Sequence, residues 1–246
     1  MTRSAIGLPP VVKGCLFDLD GVLTQTATVH MKAWKEMFDA YLAHHADGDA
    51  ARPFSQEDYN DHVDGKPRAD GVRDFLASRG IELPDGDPDD GPDADTVNGL
   101  GTRKNDLVQA VIARDGVEDY DGSVAYLKLV KAQGIPTAVV SASANCLQFI
   151  RATGLEQYLD HRVDGTTIAS DGLRGKPAPD TFLAGARAIG VPPSAAAVFE
   201  DAVSGVQAGA AGGFGWVVGV DRVGHAAALG DGGANQVVQD LAELIP

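Results

Sequence analysis

The chain has 246 residues and a formal charge of −15, from 35 acidic and 20 basic side chains. A field of that sign repels phosphate backbones and anionic lipid, which excludes nucleic acid and membrane surfaces as natural partners. Its 44% hydrophobic content is spread in short runs, as in a soluble globular protein, and no apolar stretch reaches the length of a membrane span. Two cysteines, Cys15 and Cys146, are too few for a disulfide framework and lack metal-ligand spacing. The N-terminus reaches Pro9-Pro10 without the apolar stretch of a signal peptide, so a cytoplasmic location is expected. On so acidic a chain, an anionic small substrate needs local compensation from Lys, Arg or a metal ion.

Val11 to Leu19 is a continuous apolar run broken by Lys13 and Asp18, rich enough in aliphatic residues for a buried parallel strand, and it stops at Asp20-Gly21. From Thr26 to Val117 the pattern turns helical, with predicted helices at His30 to Leu42, Ala69 to Ser78 and Lys104 to Arg114 and no strand. This stretch, 26–117, is expected to be an inserted helical cap. Within it, Pro84 to Asp95 is rich in Asp, Gly and Pro and reads as a solvated loop without chemistry.

Beyond the cap, Val124, Leu127 and Val130 share one helical face, Gly134 closes the helix, and Ile135 to Ser141 forms a strand. The rhythm repeats as a helix at Pro179 to Ile189, a strand at Ala195 to Phe199, a small-residue helix at Val203 to Ala211 and a strand at Phe214 to Val220. Such alternation predicts an α/β fold: a doubly wound, Rossmann-like parallel sheet built from 1–25 and 118–246. Ligands of these sheets gather at the carboxyl ends of the strands. Three predicted ends carry polar groups: Asp18 and Asp20, Ser141, and Glu200 with Asp201.

Two carboxylates at one strand end can divide labour, one attacking phosphorus and the other moving a proton. A pair of turn aspartates is the bland alternative. Glu200 and Asp201 offer the hard oxygens that magnesium requires, or Asp201 simply caps the next helix. Lys176 lies in Gly175-Lys176-Pro177-Ala178-Pro179, where two prolines can fix a lysine that would otherwise be a solvated surface group. Ser141 can donate its hydroxyl to an oxyanion or cap a helix.

In this order the segments Phe17-Asp18-Leu19-Asp20-Gly21-Val22, Val140-Ser141, Lys176-Pro177-Ala178-Pro179-Asp180 and Glu200-Asp201-Ala202-Val203-Ser204-Gly205-Val206 resemble the motifs of the haloacid dehalogenase superfamily. The resemblance covers residues 11 to about 220. It implies an Mg²⁺-dependent phosphoryl transfer through an aspartyl-phosphate on Asp18, with Asp20 as general acid and base. Ser141 and Lys176 would hold the transferring group, and Asp18, Asp20, Glu200 and Asp201 would form the metal set.

The cap is similar to that of the β-phosphoglucomutases, which convert β-glucose 1-phosphate to glucose 6-phosphate through a bisphosphate. That likeness runs through Thr24-Gln25-Thr26 with His30, then Trp34, the loop Gly65-Lys66-Pro67-Arg68, and Arg103-Lys104-Asn105. It implies that Thr26, His30, Trp34, Gly65, Arg68, Lys104, Ser143 and Asn145 bind a phosphorylated sugar, with Arg68 on the phosphate not being transferred and His30 coupling cap closure to proton transfer. The chain departs from the pattern at Ala144, where a lysine is expected, and at Gln25, where an acid is common. A phosphatase on the same scaffold is the alternative, and a non-catalytic binding protein would need a broken core motif, which the chain lacks. A monomer is expected.

Overall fold

The computed structural model describes residues 5–246. Strand β1 is Gly14–Phe17, four residues buried on both faces. The chain then forms helix α1 (Ala27–His45), a short α2 (Gln56–Asp58) running into a π-helical turn at Tyr59–Val63, α3 (Arg68–Ser78) and α4 (Val97–Asp115). There follow α5 (Asp121–Ala132), β2 (Thr137–Val140), α6 (Cys146–Ala152), β3 (His161–Val163), α7 (Gly165–Asp171) and α8 (Asp180–Ala188). The last elements are β4 (Ala196–Glu200), α9 (Val203–Ala211), β5 (Trp216–Val220), α10 (Ala226–Asp231) and β6 (Gln236–Val238). Two compact units result, Met1–Gln25 with Val117–Pro246 and, separately, Thr26–Gly116.

In the first unit the described strands form one parallel sheet in the order β3-β2-β1-β4-β5-β6. The chain winds one way from β1 through β2 to β3 and the other way from β4 to β6, so the direction of winding reverses beside β1. That reversal opens the crevice in which doubly wound sheets hold ligands. Helices cover the sheet through a core that includes Leu16, Val140, Phe182, Val198 and Val206. Helix α9 is made of small residues because it lies close to the sheet: a Cβ on Gly209 would stand 3.1 Å from Val217 Cγ2.

The second unit is all helical and packs Trp34, Phe38, Phe54, Phe75 and Leu100 into its own core. Helix α4 begins seven residues before the expected Lys104, because the Thr96 hydroxyl accepts from the Gly99 N–H and starts it. Gly99 and Gly101 in that first stretch dilute the helical signal. The segment 84–95 is a loop, tied down by Arg73 Nε on Asp85 (2.7 Å), Arg103 Nε on the Pro92 carbonyl (2.7 Å) and Thr96 Oγ1 on Asp90 (2.6 Å). Among the described residues no helix is long and apolar enough to cross a membrane.

Candidate active site

Asp18 is the first residue beyond β1, and its N–H donates to the Phe199 carbonyl at 2.9 Å. Phe17 pairs in register with Phe199, so the next residues along, Asp18 and Glu200, come side by side at the carboxyl edge. The rings of Phe17 and Phe199 stack at 4.4 Å beneath them. Asp18, Glu200 and Lys176 are all buried, and the Lys176 ammonium bridges the two carboxylates while lying 5.0 Å from the centre of the Phe182 ring. Burial by itself would lower the lysine's pKa, but the two carboxylates outweigh it and hold the ammonium protonated well above its ordinary range. Asp18 moves upward: burial is the largest cause, Lys176 opposes it, and Glu200 and Asp20 add repulsion.

Asp18 and Glu200 share the ammonium of Lys176, Asp201 lies beside the two carboxylates, and Asp20 acts on Asp18 by charge repulsion. Carboxylate oxygens of Asp18, Glu200 and Asp201 lie within 4.8 Å of one another. This surplus of hard, partly dehydrated oxygen donors fits a divalent cation such as Mg²⁺, which would also offset the repulsion that lifts Asp18. Glu200 is the most committed of the set: Oε1 takes the Lys176 bond and Oε2 accepts the Ala202 N–H at 2.8 Å. The N-cap position of α9 is Ala202, one residue after Asp201.

Gly21, at φ +86°, turns the chain away from this edge. A Cβ there would fall 1.7 Å from Asp201 Oδ2, so only glycine lets the two loops touch. Gly205 does the same for Glu200, whose Oε1 would be 1.8 Å from an added Cβ.

Ser141 follows β2, anchored by its N–H on the Val163 carbonyl at 2.9 Å. Its hydroxyl accepts from the Ser143 N–H (3.0 Å) and donates to Asp20 Oδ2 (3.3 Å), and Ser143 Oγ in turn accepts from the Asn145 N–H (3.1 Å). Ser141 therefore sets a turn and orients Asp20 rather than capping α6, whose N-cap is Asn145. The turn is tight against Gly165, where a Cβ would meet the Ala144 nitrogen at 2.7 Å.

In the helical unit, Thr26 and His30 are buried at the start of α1, and Lys104 Nζ lies 2.6 Å from His30 Nδ1 and 4.8 Å from the centre of the Trp34 ring. Trp34 belongs to that unit's core and stacks on Phe38 at 5.2 Å. Gly65, at φ +71°, turns the chain into α3. Arg68 opens that helix, and its guanidinium donates to the Gly101 carbonyl (3.2 Å) and to Asn105 Oδ1 (3.1 Å), with burial moving its pKa downward. The site groups thus fall into two sets: Asp18, Asp20, Ser141, Ser143, Asn145, Lys176, Glu200 and Asp201 in the sheet unit, and Thr26, His30, Trp34, Gly65, Arg68 and Lys104 in the helical unit.

Sequence reasoning passed over Arg222 and His225, which follow β5 and bond the backbone of the loops bearing Asp20 and Asp201. The signal in the sequence is a further charged strand end, Asp221-Arg222, directly after β5.

A model of haloacid dehalogenase-like hydrolases matches residues 12–213. The chain is 55% identical over 246 residues to a β-phosphoglucomutase of Mycobacterium tuberculosis, covering 98% of this chain and 94% of that one. It is 31% identical over 208 residues to a fructose-1-phosphate phosphatase of Escherichia coli, covering 81% and 92%. Among solved structures, a β-phosphoglucomutase from Clostridium difficile superposes with a TM-score of 0.75 at 23% identity over 95% of this chain and 93% of that one, which shows the shared fold.

Proposed function

Since the chain belongs to the haloacid dehalogenase-like hydrolase family, we propose that it is a β-phosphoglucomutase, interconverting β-D-glucose 1-phosphate and glucose 6-phosphate through the 1,6-bisphosphate. The observation that carries this reading is the buried bridge from Lys176 to Asp18 and Glu200 at the end of β1 and β4, beside Asp201. It prepares a carboxylate to attack phosphorus, with a fixed positive charge beside the phosphoryl oxygens of the group attacked.

In our reading Asp18 Oδ attacks phosphorus, the bond from phosphorus to the bisphosphate's sugar oxygen breaks, and Asp20 gives that oxygen its proton. In the reverse direction Asp20 takes the proton from the entering sugar hydroxyl as phosphorus leaves Asp18. Asp18, the Asp20 backbone carbonyl and Asp201 are the ligands we assign to Mg²⁺, which supplies charge neutralisation for the transferring phosphoryl group. Glu200 steadies Lys176 and the Ala202 turn beside them. Lys176 neutralises charge on the phosphoryl oxygens, and Ser141 keeps Asp20 oriented. Arg68, with a fork suited to two phosphate oxygens, takes the phosphate that is not transferred, and Lys104 and His30 bind the sugar. We place the enzyme in the cytoplasm as a monomer.

Phosphatases among the relatives make water the competing acceptor. Protein incubated with β-glucose 1-phosphate, Mg²⁺ and a trace of glucose 1,6-bisphosphate should form glucose 6-phosphate in excess over free phosphate. Accumulation of inorganic phosphate without glucose 6-phosphate would reassign the protein as a phosphatase. Turnover retained in Asp18→Asn would remove the aspartyl-phosphate mechanism from both readings.

A further inference from the structure

The turn after β5 reaches both loops to which metal ligands are assigned. Arg222, with a side chain only 14% exposed, donates through Nε to the Gly21 carbonyl (2.9 Å) and through its terminal nitrogens to the carbonyls of Val22 (3.4 Å) and Gln239 (2.7 Å). The same guanidinium bonds Asp240 Oδ2 (2.9 Å) and Ser123 Oγ (3.1 Å) and lies 3.7 Å from the centre of the Tyr120 ring. Asp240 offsets its charge, so the group acts on the Gly21 loop by geometry rather than by field. A planar fork with five donors can hold three carbonyls, a carboxylate and a hydroxyl at once, two acceptors more than the three donors of a lysine can serve.

Three residues later, His225 Nε2 donates to the Asp201 carbonyl at 2.9 Å. The turn that carries both side chains is itself fixed, because the Asp221 carboxylate accepts the N–H groups of Gly224 (2.7 Å), His225 (2.8 Å) and Ala226 (3.2 Å). The two gripped loops touch each other at Gly21 and Asp201, where there is no room even for a methyl group. A shift of either loop is therefore transmitted to the other.

We propose that Arg222 and His225 are positioning residues that preset the Asp20–Val22 loop and the Asp201 loop for the divalent cation, through bonds to the Gly21 and Asp201 carbonyls. The inference rests on the assignment of Asp18, the Asp20 carbonyl and Asp201 as the metal ligands. Groups that orient metal ligands govern affinity for the ion, by about 10- to 100-fold on removal.

The test is a calorimetric titration of chelator-treated protein with Mg²⁺ alone, with melting temperatures in parallel. His225→Ala and Arg222→Lys should each raise the Mg²⁺ dissociation constant by about tenfold. His225→Gln, which returns an N–H donor to the same carbonyl, should recover most of that loss. His225 bonds only one of the loops, so its variant keeps the test open if Arg222→Lys fails to fold. Wild-type affinity in both variants, or a lowered melting temperature with unchanged affinity, overturns the positioning role. Asp201→Asn is the control for the reading underneath: if it binds Mg²⁺ as wild type does, the ligand assignment fails and takes the positioning role with it. If it alone weakens binding, only the positioning role fails.

Discussion

Lys104 Nζ lies 2.6 Å from His30 Nδ1, and both side chains are buried. An ammonium has only protons to give, and the Trp34 ring at 4.8 Å favours the charged form of Lys104 through its π face. Nδ1 must accept, so the imidazole is neutral with its proton on Nε2. His30 can then donate from Nε2 but cannot take a proton there, which narrows the part it can play in coupling closure to proton transfer. Long-range ¹⁵N–¹H correlation spectra at neutral pH should show an unprotonated Nδ1 and a protonated Nε2. A protonated Nδ1 would reject the pairing. Lys104→Met should leave Nδ1 without this donor at a cost of about 1–3 kcal/mol, seen as a lowered melting temperature.

Gly205 gives a prediction opposite in sign to helix propensity. It sits in the first turn of α9, where alanine would normally stabilise by about 1 kcal/mol. Here the added methyl would fall 1.8 Å from Glu200 Oε1, the atom bonded to Lys176. Gly205→Ala should lower both the melting temperature and kcat by displacing that carboxylate. A variant of raised stability and unchanged turnover would show that Glu200 can move without consequence.

The core motifs are legible because each is local: Asp18, Ser141 and Glu200 stand directly after apolar runs, and a parallel sheet collects strand ends without further information. The two edge strands are not. His161–Val163 and Gln236–Val238 are three residues long, and exposed or half-exposed side chains dilute the aliphatic signal in each. Helices α6 and α7, of seven residues each, give too few turns for a period to emerge. Arg222 was hidden for a different reason. Its bonds to Gly21 and Val22 span about 200 positions, and nothing near residue 222 in the chain announces which carbonyls it will meet.

Asp58 anchors the helical unit and sets its acid sensitivity. The carboxylate accepts from the Ser55 N–H (2.9 Å) and hydroxyl (2.7 Å), closing a capping box, and also binds Arg79 (2.9 Å) and Arg52 (3.4 Å). Burial pushes its pKa up, but the Ser55 donors and the two guanidinium groups outweigh it, and the net shift is downward from 3.8. A carboxylate with a folded pKa below its unfolded one adds stability that is fully present above the unfolded value and disappears as pH falls through the folded value. Asp58→Asn leaves Arg79, with a side chain only 6% exposed, without its counter-charge, so it should cost about 3 kcal/mol near neutrality. The difference between variant and wild type in denaturant melts should hold steady down to the ordinary carboxylate range and narrow below 3.8. A difference that stays constant into stronger acid would mean that Asp58 acts through shape alone.

Ala144 is where this chain departs from the pattern of the β-phosphoglucomutases, which leads one to expect lysine. The position is exposed, between Ser143 and Asn145 on the turn after β2. The space that a Cβ on Gly165 would enter is bounded by the Ala144 backbone and not by its side chain, and the exposed side chain leaves room for a longer residue. A lysine there would add a point charge for the phosphate that is not being transferred, worth up to about 1 kcal/mol for an exposed ion pair. Bound bisphosphate benefits more than monophosphate, because it presents a second dianion. Ala144→Lys should therefore lower the concentration of glucose 1,6-bisphosphate needed for half-maximal rate by about three- to fivefold, the equivalent of that energy, with kcat and melting temperature close to wild type. The gain should shrink as ionic strength rises, since an exposed charge is screened over roughly 10 Å at 0.1 M salt. An unchanged bisphosphate requirement at low salt would show that the distal phosphate does not approach this turn, and that the chain holds it by other groups such as Arg68.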